Sequence, residues 1–102
     1  LQTAGLTIGS DIYVSPNYAD FSTAAGIALL AHEAVHVRQG AQDPQFNAKY
    51  DAIARETPRD KPWLNAYERE AYIEEAQVYY TLIDMGYPKG RWTPLGIMVG
   101  LV

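Results

Sequence analysis

The residues best suited to chemistry lie in one run, Leu29–Gln39, which contains the pattern His-Glu-x-x-His and both histidines of the chain. Two histidines four residues apart on a helix point in the same direction, so His32 and His36 can bind one metal ion. Glu33 lies beside them and can reach a water molecule at that metal. Zinc hydrolases combine two neutral imidazoles with a carboxylate that takes the proton from the attacking water. The spacing therefore predicts a site for one Zn²⁺ ion with Glu33 as general base.

The sequence around the motif is apolar, which strengthens the metal interpretation. Between Ala24 and Val37 every residue outside the motif is apolar or glycine, and a helix that is apolar on all sides is usually buried. Two histidines and a carboxylate in such a helix need partners, because burying them alone is costly. The alternative is a pair of hydrogen-bonded core histidines with Glu33 in solvent.

The composition predicts one globular domain, and we take residues 1–102 as a single unit. A hydrophobic content of 48% and a charged content of 20% exclude a disordered chain. The net charge of −4 argues against nucleic-acid binding, which needs a basic patch. The sequence shows no signal peptide and no apolar run of about 18 residues for a membrane span. The compartment stays open, and secretion or translocation is compatible with these features.

The third protein ligand of a catalytic zinc site has to be a carboxylate in this chain. Catalytic zinc normally binds three protein ligands and leaves one position for water. The sequence contains no cysteine and no third histidine, and Gln42 stands where a longer zinc motif has one. The site is therefore predicted to consist of two histidines and one glutamate or aspartate.

Four glutamates of a predicted third helix are candidates for that ligand, namely Glu68, Glu70, Glu74 and Glu75. At about 100° per residue, Glu68 and Glu75 fall within the apolar arc and the other two on the opposite, solvated side. A carboxylate that faces a core needs a compensating charge, which zinc supplies. We therefore predict Glu68 as the ligand and keep Glu70 and Glu75 as alternatives. Glu75, roughly 10 Å farther along the axis, is expected to pair with Arg38 or to support a ligand.

The local patterns predict a mostly helical α+β fold, equivalent to a minimal zincin-like lobe. Leu6–Val14 is typical of a short N-terminal hairpin or a bulged strand, packed on the buried motif helix. That helix is predicted from about Ser22 to Gln39, with Asp20 or Ser22 as its N-cap. Gly40 is expected to end it in a left-handed conformation.

Two further helices and a tail complete the predicted fold. Asp43-Pro44 is expected to open a second short helix that runs to about Arg55. A long third helix, which carries the third ligand, begins at Trp63 or Asn65 and ends near Met85. Residues 89–102 form an apolar C-terminal tail that we expect to pack on the core. The alternative is that this tail covers the cleft or forms an interface with a partner.

Three blocks of the sequence resemble small zincin-like peptidase domains that accompany contractile injection systems and polymorphic toxins. The blocks are Gly-Leu-Thr-Ile-Gly-Ser-Asp-Ile-Tyr-Val from Gly5, Leu-Leu-Ala-His-Glu-Ala-Val-His-Val-Arg-Gln from Leu29, and Asn-Ala-Tyr-Glu-Arg-Glu-Ala-Tyr from Asn65. The chain is also similar to gluzincins, in which Glu-x-x-x-Asp on a later helix supplies the third ligand. The resemblance implies a metallopeptidase with Glu68 as ligand. Tyr72 replaces the gluzincin aspartate, so the carboxylate that orients a histidine is missing or comes from elsewhere.

Together these features predict zinc-dependent hydrolysis of peptide bonds, with a peptide or protein as substrate and a parent chain, toxin or injection system as partner. Tyr67, Tyr72 and Tyr79 are candidates to stabilise the oxyanion, although core packing is the simpler role for each. The strand at Ile12–Val14 is expected to pair with an extended substrate, by analogy of fold. The alternative is a catalytically inert structural or interaction module stapled by the metal, because so small a fold gains from one.

Overall fold

Two long helices form the centre of the fold. The computed structural model describes residues 4–102 and packs α1 (Ala24–Gln42) against α3 (Ala66–Asp84). The residues between them are mostly small, which lets the two backbones approach closely. The fully buried alanines are Ala24, Ala25 and Ala28 of α1 and Ala71 and Ala76 of α3.

A two-stranded antiparallel hairpin lies against α1. Strand β1 (Gly5–Ile8) pairs with β2 (Asp11–Val14) through a turn at Gly9, whose φ of 60° suits glycine. Both strands alternate half-buried and exposed residues, so one face of the hairpin is turned toward α1. The short helices are α2 (Phe46–Glu56) and α4 (Leu95–Met98), with 3₁₀ turns at Pro16–Tyr18 and Pro62–Leu64.

The predicted α+β, mostly helical fold is confirmed, including the hairpin on the motif helix and the long third helix. Asn65 caps α3, since its side-chain oxygen accepts a hydrogen bond from the backbone N–H of Tyr67 at 3.0 Å. Burial of α1 on all sides was expected and is wrong, because Ala34 is exposed. Among residues 4–102, no helix combines the length and the apolar character that crossing a membrane requires.

The predicted ends of α1 are wrong on both sides. Its N-cap is Thr23, whose hydroxyl accepts from the N–H of Gly26 at 3.2 Å. The carboxylate of Asp20 is instead bonded to the backbone N–H and the hydroxyl of Ser22, at 3.1 and 2.6 Å. Gly40 lies inside the helix without a positive φ, and the chain leaves the helix only at the extended Asp43.

The predicted start of α2 is also wrong. Asp43 accepts a hydrogen bond from the N–H of Gln45 at 2.9 Å, which folds Asp43 to Gln45 into a separate turn. The helix therefore begins at Phe46, and it ends at Glu56, close to the predicted Arg55. Within this part of the described chain, Phe46 is the only buried residue of α2.

The C-terminal tail packs on both long helices. The N–H groups of Ala24 and Ala25, which the first turn of α1 leaves free, donate to the carbonyls of Pro88 and Lys89 at 2.8 and 3.0 Å. In α4, a Cβ on Gly96 would lie 2.6 Å from the carbonyl oxygen of Tyr72, so glycine permits this close approach. The tail thus covers the N-terminal end of α1 and one side of α3.

Two glycines of α1 give opposite expectations for substitution by alanine. Gly26→Ala should destabilise the fold by about 1–3 kcal/mol, because its Cβ would lie 1.9 Å from the backbone oxygen of Asp20. Gly40→Ala should stabilise it by up to about 1 kcal/mol, since its Cβ would only touch Phe46 at 3.6 Å. Urea unfolding measures both. Destabilisation by Gly40→Ala would contradict the placement of this residue inside α1.

Candidate metal centre

Two helices bring the three predicted ligands together. His32 and His36 lie one turn apart on α1, and Glu68 lies in the first turn of α3. Oε1 of Glu68 is 3.1 Å from Nε2 of His32 and 2.7 Å from Nε2 of His36. Within residues 4–102, these three side chains form the group whose ligand atoms all lie within 4.8 Å of one another. The candidate ligands therefore converge on one point.

The donor atoms and their separation fit a zinc ion. At zinc–ligand distances of about 2.0–2.2 Å, tetrahedral ligand atoms lie roughly 3.3 Å apart. The carboxylate of Glu68 would have to withdraw from the two histidines by roughly half an ångström to admit the ion. Two imidazoles and one carboxylate also form a ligand set that catalytic zinc uses.

Gln39, buried on α1, fixes the tautomer of His36. Its side-chain NH₂ donates to the backbone carbonyl of Tyr67 and to the carboxylate of Glu70, both at 3.0 Å. Because both partners only accept, the side-chain oxygen of Gln39 must face Nδ1 of His36, at 2.9 Å. Nδ1 of His36 therefore carries a hydrogen, which leaves Nε2 as the atom for a metal.

Glu75 has the same effect on His32. Its buried carboxylate accepts from Nδ1 of His32 at 2.8 Å, so Nε2 of this ring is also the atom for a metal. Tyr72, four residues after Glu68, has no carboxylate with which to orient a histidine. Here Glu75 supplies it from seven residues after Glu68, as one of the two expected roles of this residue.

The alternative third ligands do not reach the convergence point. Glu75 bonds to the opposite nitrogen of the His32 ring, and Glu70 is exposed and bonds to Gln39. The predicted pair between Glu75 and Arg38 is wrong, because Arg38 lies 3.7 Å from Glu70 instead. Both partners of that pair are about half exposed, so water keeps their charges solvated.

Tyr50 is a site residue that the sequence did not reveal. Its hydroxyl donates to Oε2 of Glu68 at 2.6 Å, so Oε1 alone faces the histidines. Burial and this hydrogen bond raise the pKa of Tyr50, and the hydroxyl keeps its proton. The four-residue spacing of Phe46 and Tyr50 is compatible with one face of a helix, but spacing alone cannot show which group the hydroxyl contacts.

Glu33 is buried beside the ligands and is not one of them. One carboxylate oxygen accepts from the hydroxyl of Thr7 at 2.8 Å, and the other lies 3.9 Å from Nε2 of His32. The side chain is only 5% exposed, which is inconsistent with the alternative of a solvated Glu33. A molecule bound where the three candidate ligand atoms converge would therefore lie next to the carboxylate of Glu33.

Two openings reach the site and share the residues Gly5, Glu33 and Glu68. One has a volume of about 320 Å³ and lies beside α2; the other, of about 420 Å³, lies beside the tail and includes Trp92. Strand β1 contributes residues to both openings and β2 to neither. The strand Ile12–Val14, which was expected to pair with a substrate, therefore lines neither opening.

The three tyrosines that were candidates for oxyanion stabilisation occupy different places. The ring of Tyr72 packs on His32 with 4.6 Å between centroids, and it lines the larger opening. Tyr67 packs edge-on against Phe46, and Tyr79 is buried in the core between the long helices. Packing is thus what the structure shows for Tyr67 and Tyr79, whereas Tyr72 also faces the site.

A metal ion at this centre would have to compete with protons for the two Nε2 atoms. Burial lowers the pKa of His32, but the hydrogen bonds and charges of Glu68 and Glu75 outweigh it and raise that pKa to about 9. Burial also lowers the pKa of His36, and Glu68 again more than compensates. Partial burial raises the pKa of Glu68, but hydrogen bonds from His32, His36 and Tyr50 outweigh it and hold that pKa well below its usual range.

One family of known proteins matches part of the chain. The model of the eCIS core domain, from extracellular contractile injection systems, matches residues 1–44. This segment includes the hairpin and the His-Glu-x-x-His motif of α1, covers less than half of the chain, and ends before Glu68. The match links the protein to contractile injection systems and names no activity. Neither the curated proteins nor the solved structures contain a match.

The pKa shifts predict how the stability of the metal-free protein depends on pH. His32 has a folded pKa of about 9, above the unfolded 6.5, so its stabilisation is complete below pH 6.5 and is lost toward pH 9. The pKa of Glu68 is lowered from 4.5, so its stabilisation is present above pH 4.5 and is lost as the pH falls. The free energy of unfolding, measured with urea in the presence of a chelator, should therefore be highest between about pH 4.5 and pH 6.5. Stability that rises steadily up to pH 9 would contradict this pairing.

Proposed function

We propose that the protein binds one zinc ion through His32, His36 and Glu68 and hydrolyses peptide bonds. The observation that carries this proposal is that both Nε2 atoms lie next to the same carboxylate oxygen of Glu68. On the other side of each ring, Nδ1 donates a hydrogen bond, to Glu75 from His32 and to Gln39 from His36. Buried histidines that only pack need no such fixed tautomer at both rings. Zinc bound there would supply Lewis acidity, by which it polarises a carbonyl and acidifies water.

The other residues of the site have roles that suit this chemistry. Glu33 takes the proton of the attacking water and passes it to the leaving amine, since its free oxygen faces the ligand atoms. Tyr50 holds Oε2 of Glu68, which keeps the other oxygen for the metal. Glu75 and Gln39 keep the histidines in the tautomer that a metal requires. The two openings on either side of Glu33 suit a linear substrate that crosses the site.

A catalytically inert, metal-stapled module is the second candidate, and the weak attachment of α2 favours it. This helix buries only Phe46 among its residues. It contacts the centre of the fold through the rings of Phe46 and Tyr50 and through one hydrogen bond, from the Tyr50 hydroxyl to Glu68. A metal on Glu68 would therefore fasten three helices around one point. Burial of Glu33 favours hydrolysis, because a structural site has no use for a buried carboxylate that neither binds the metal nor holds a ligand.

The metal proposal predicts that Glu68→Ala abolishes stoichiometric zinc binding, because only two ligands remain. Glu74→Ala, which removes a carboxylate from the same helix outside the ligand group, should leave zinc content unchanged. Elemental analysis of the purified variants measures both. Equal zinc content in the two variants would show that Glu68 is not a ligand.

The hydrolysis proposal predicts that Glu33→Gln keeps the fold and the zinc but lowers cleavage by about 10²- to 10⁴-fold. The assay is cleavage of a peptide library by the zinc-loaded protein, followed by mass spectrometry. Unchanged cleavage by the variant would refute the role of Glu33 as general base. Stoichiometric zinc in the wild type without cleavage of any peptide would favour the inert module.

A further inference from the structure

Strand β1 contacts Glu33 through both of its inward-facing residues. Gly5 and Thr7 are the half-buried residues of the strand, and Leu6 and Ile8 between them are exposed. Because side chains alternate along a strand, residues two apart lie on one face. This face of β1 therefore lies directly on the carboxylate that neighbours the candidate metal ligands.

Thr7 determines which oxygen of Glu33 stays free. Its hydroxyl lies 2.8 Å from Oε1 of Glu33 and 3.1 Å from the backbone oxygen of the same residue. A hydroxyl has one hydrogen to donate, and the shorter distance favours the charged carboxylate oxygen. Oε1 is thereby occupied, while Oε2 lies 3.9 Å from Nε2 of His32.

Gly5 makes room for the same carboxylate. A Cβ on Gly5 would lie 3.1 Å from Oε2 and 3.2 Å from both Cγ and Cδ of Glu33. These distances are shorter than ordinary van der Waals contact between carbon and its neighbours. A side chain at this position would therefore require Glu33 to shift by a few tenths of an ångström, whereas glycine lets the carboxylate stay where it is.

We propose that Gly5 and Thr7 form a seat that positions Glu33, with Thr7 as the positioning residue for the general base. This inference rests on the proposed hydrolysis and adds that the hairpin must hold the general base in the correct orientation. Without the hydroxyl of Thr7, the carboxylate of Glu33 is free to rotate about its last torsion. A misplacement of about 1 Å in a reacting group can lower a rate by about 100-fold.

The same hydrogen bond also joins the hairpin to α1, so the test must separate positioning from stability. Thr7→Val removes the hydroxyl and keeps the shape, whereas Thr7→Ser keeps the hydroxyl. Ile12→Val is the matched control, because Ile12 is the cross-strand partner of Thr7 and is half-buried on the same hairpin. It loosens the packing of the hairpin without touching the bond to Glu33.

In the zinc-loaded protein, Thr7→Val should lower kcat for peptide cleavage by about 10- to 100-fold and change KM by less than about twofold. Thr7→Ser should recover activity to within a few fold, and Ile12→Val should retain it. Equal losses in Thr7→Val and Ile12→Val would overturn the proposal in favour of a purely structural role. Full activity of Thr7→Val would overturn it as well.

Crystal structures of the wild type and of Thr7→Val provide a readout that needs neither activity nor metal. The seat predicts that the carboxylate of Glu33 changes its orientation or becomes disordered in Thr7→Val. An unchanged, well-ordered carboxylate would overturn the proposal. If Glu33 moves as expected but the wild type cleaves no peptide, the proposed hydrolysis fails while the seat stands as a structural feature.

Discussion

A partly buried carboxylate whose charge must be neutralised is the constraint on which the rest of the structure depends. Glu68 reaches His32 and His36 on α1 with one oxygen and Tyr50 on α2 with the other. Breaking up such a group would leave a largely desolvated charge without a partner, which is destabilising. The first turn of α3, the motif face of α1 and the position of α2 are therefore coupled through one side chain.

The two histidines extend this hydrogen-bond network from Glu68 to Glu75 and Gln39. The imidazole of His32 spans two glutamates of α3 that lie two turns apart, with Nε2 on Glu68 and Nδ1 on Glu75. The ring of His36 lies in the same way between Glu68 and Gln39. Each ring thus has a fixed rotation, and its Nδ1 hydrogen is held by an acceptor before any metal binds, so that only Nε2 has to lose a proton to a metal.

The sequence predicted the parts of this site that depend on spacing within one element. Four-residue spacing located His32 and His36, and the apolar arc of the third helix selected Glu68 over Glu70. The same arc contained Glu75, but periodicity cannot tell which group on another helix a carboxylate will meet. Tyr50 and Thr7 were missed for this reason, since both reach the site from separate elements across long stretches of sequence.

Helix ends were less predictable than helix faces. Several polar residues before α1 can each serve as a cap, and only the path of the chain decides that Thr23 does so. Gly40 was predicted to end the helix, yet it lies within α1 opposite Phe46. The family match stops near this end of the helix, so Glu68, Tyr50 and Glu75 all lie outside the matched segment.

X-ray absorption spectroscopy at the zinc edge of the loaded protein tests the central claim most directly. The account predicts one zinc ion bound by two imidazole nitrogens and oxygen ligands at about 2.0–2.2 Å. A signal from oxygen ligands alone, without the scattering pattern of imidazole rings, would show that His32 and His36 do not bind the metal. Such a result would contradict the metal centre and the proposed hydrolysis with it.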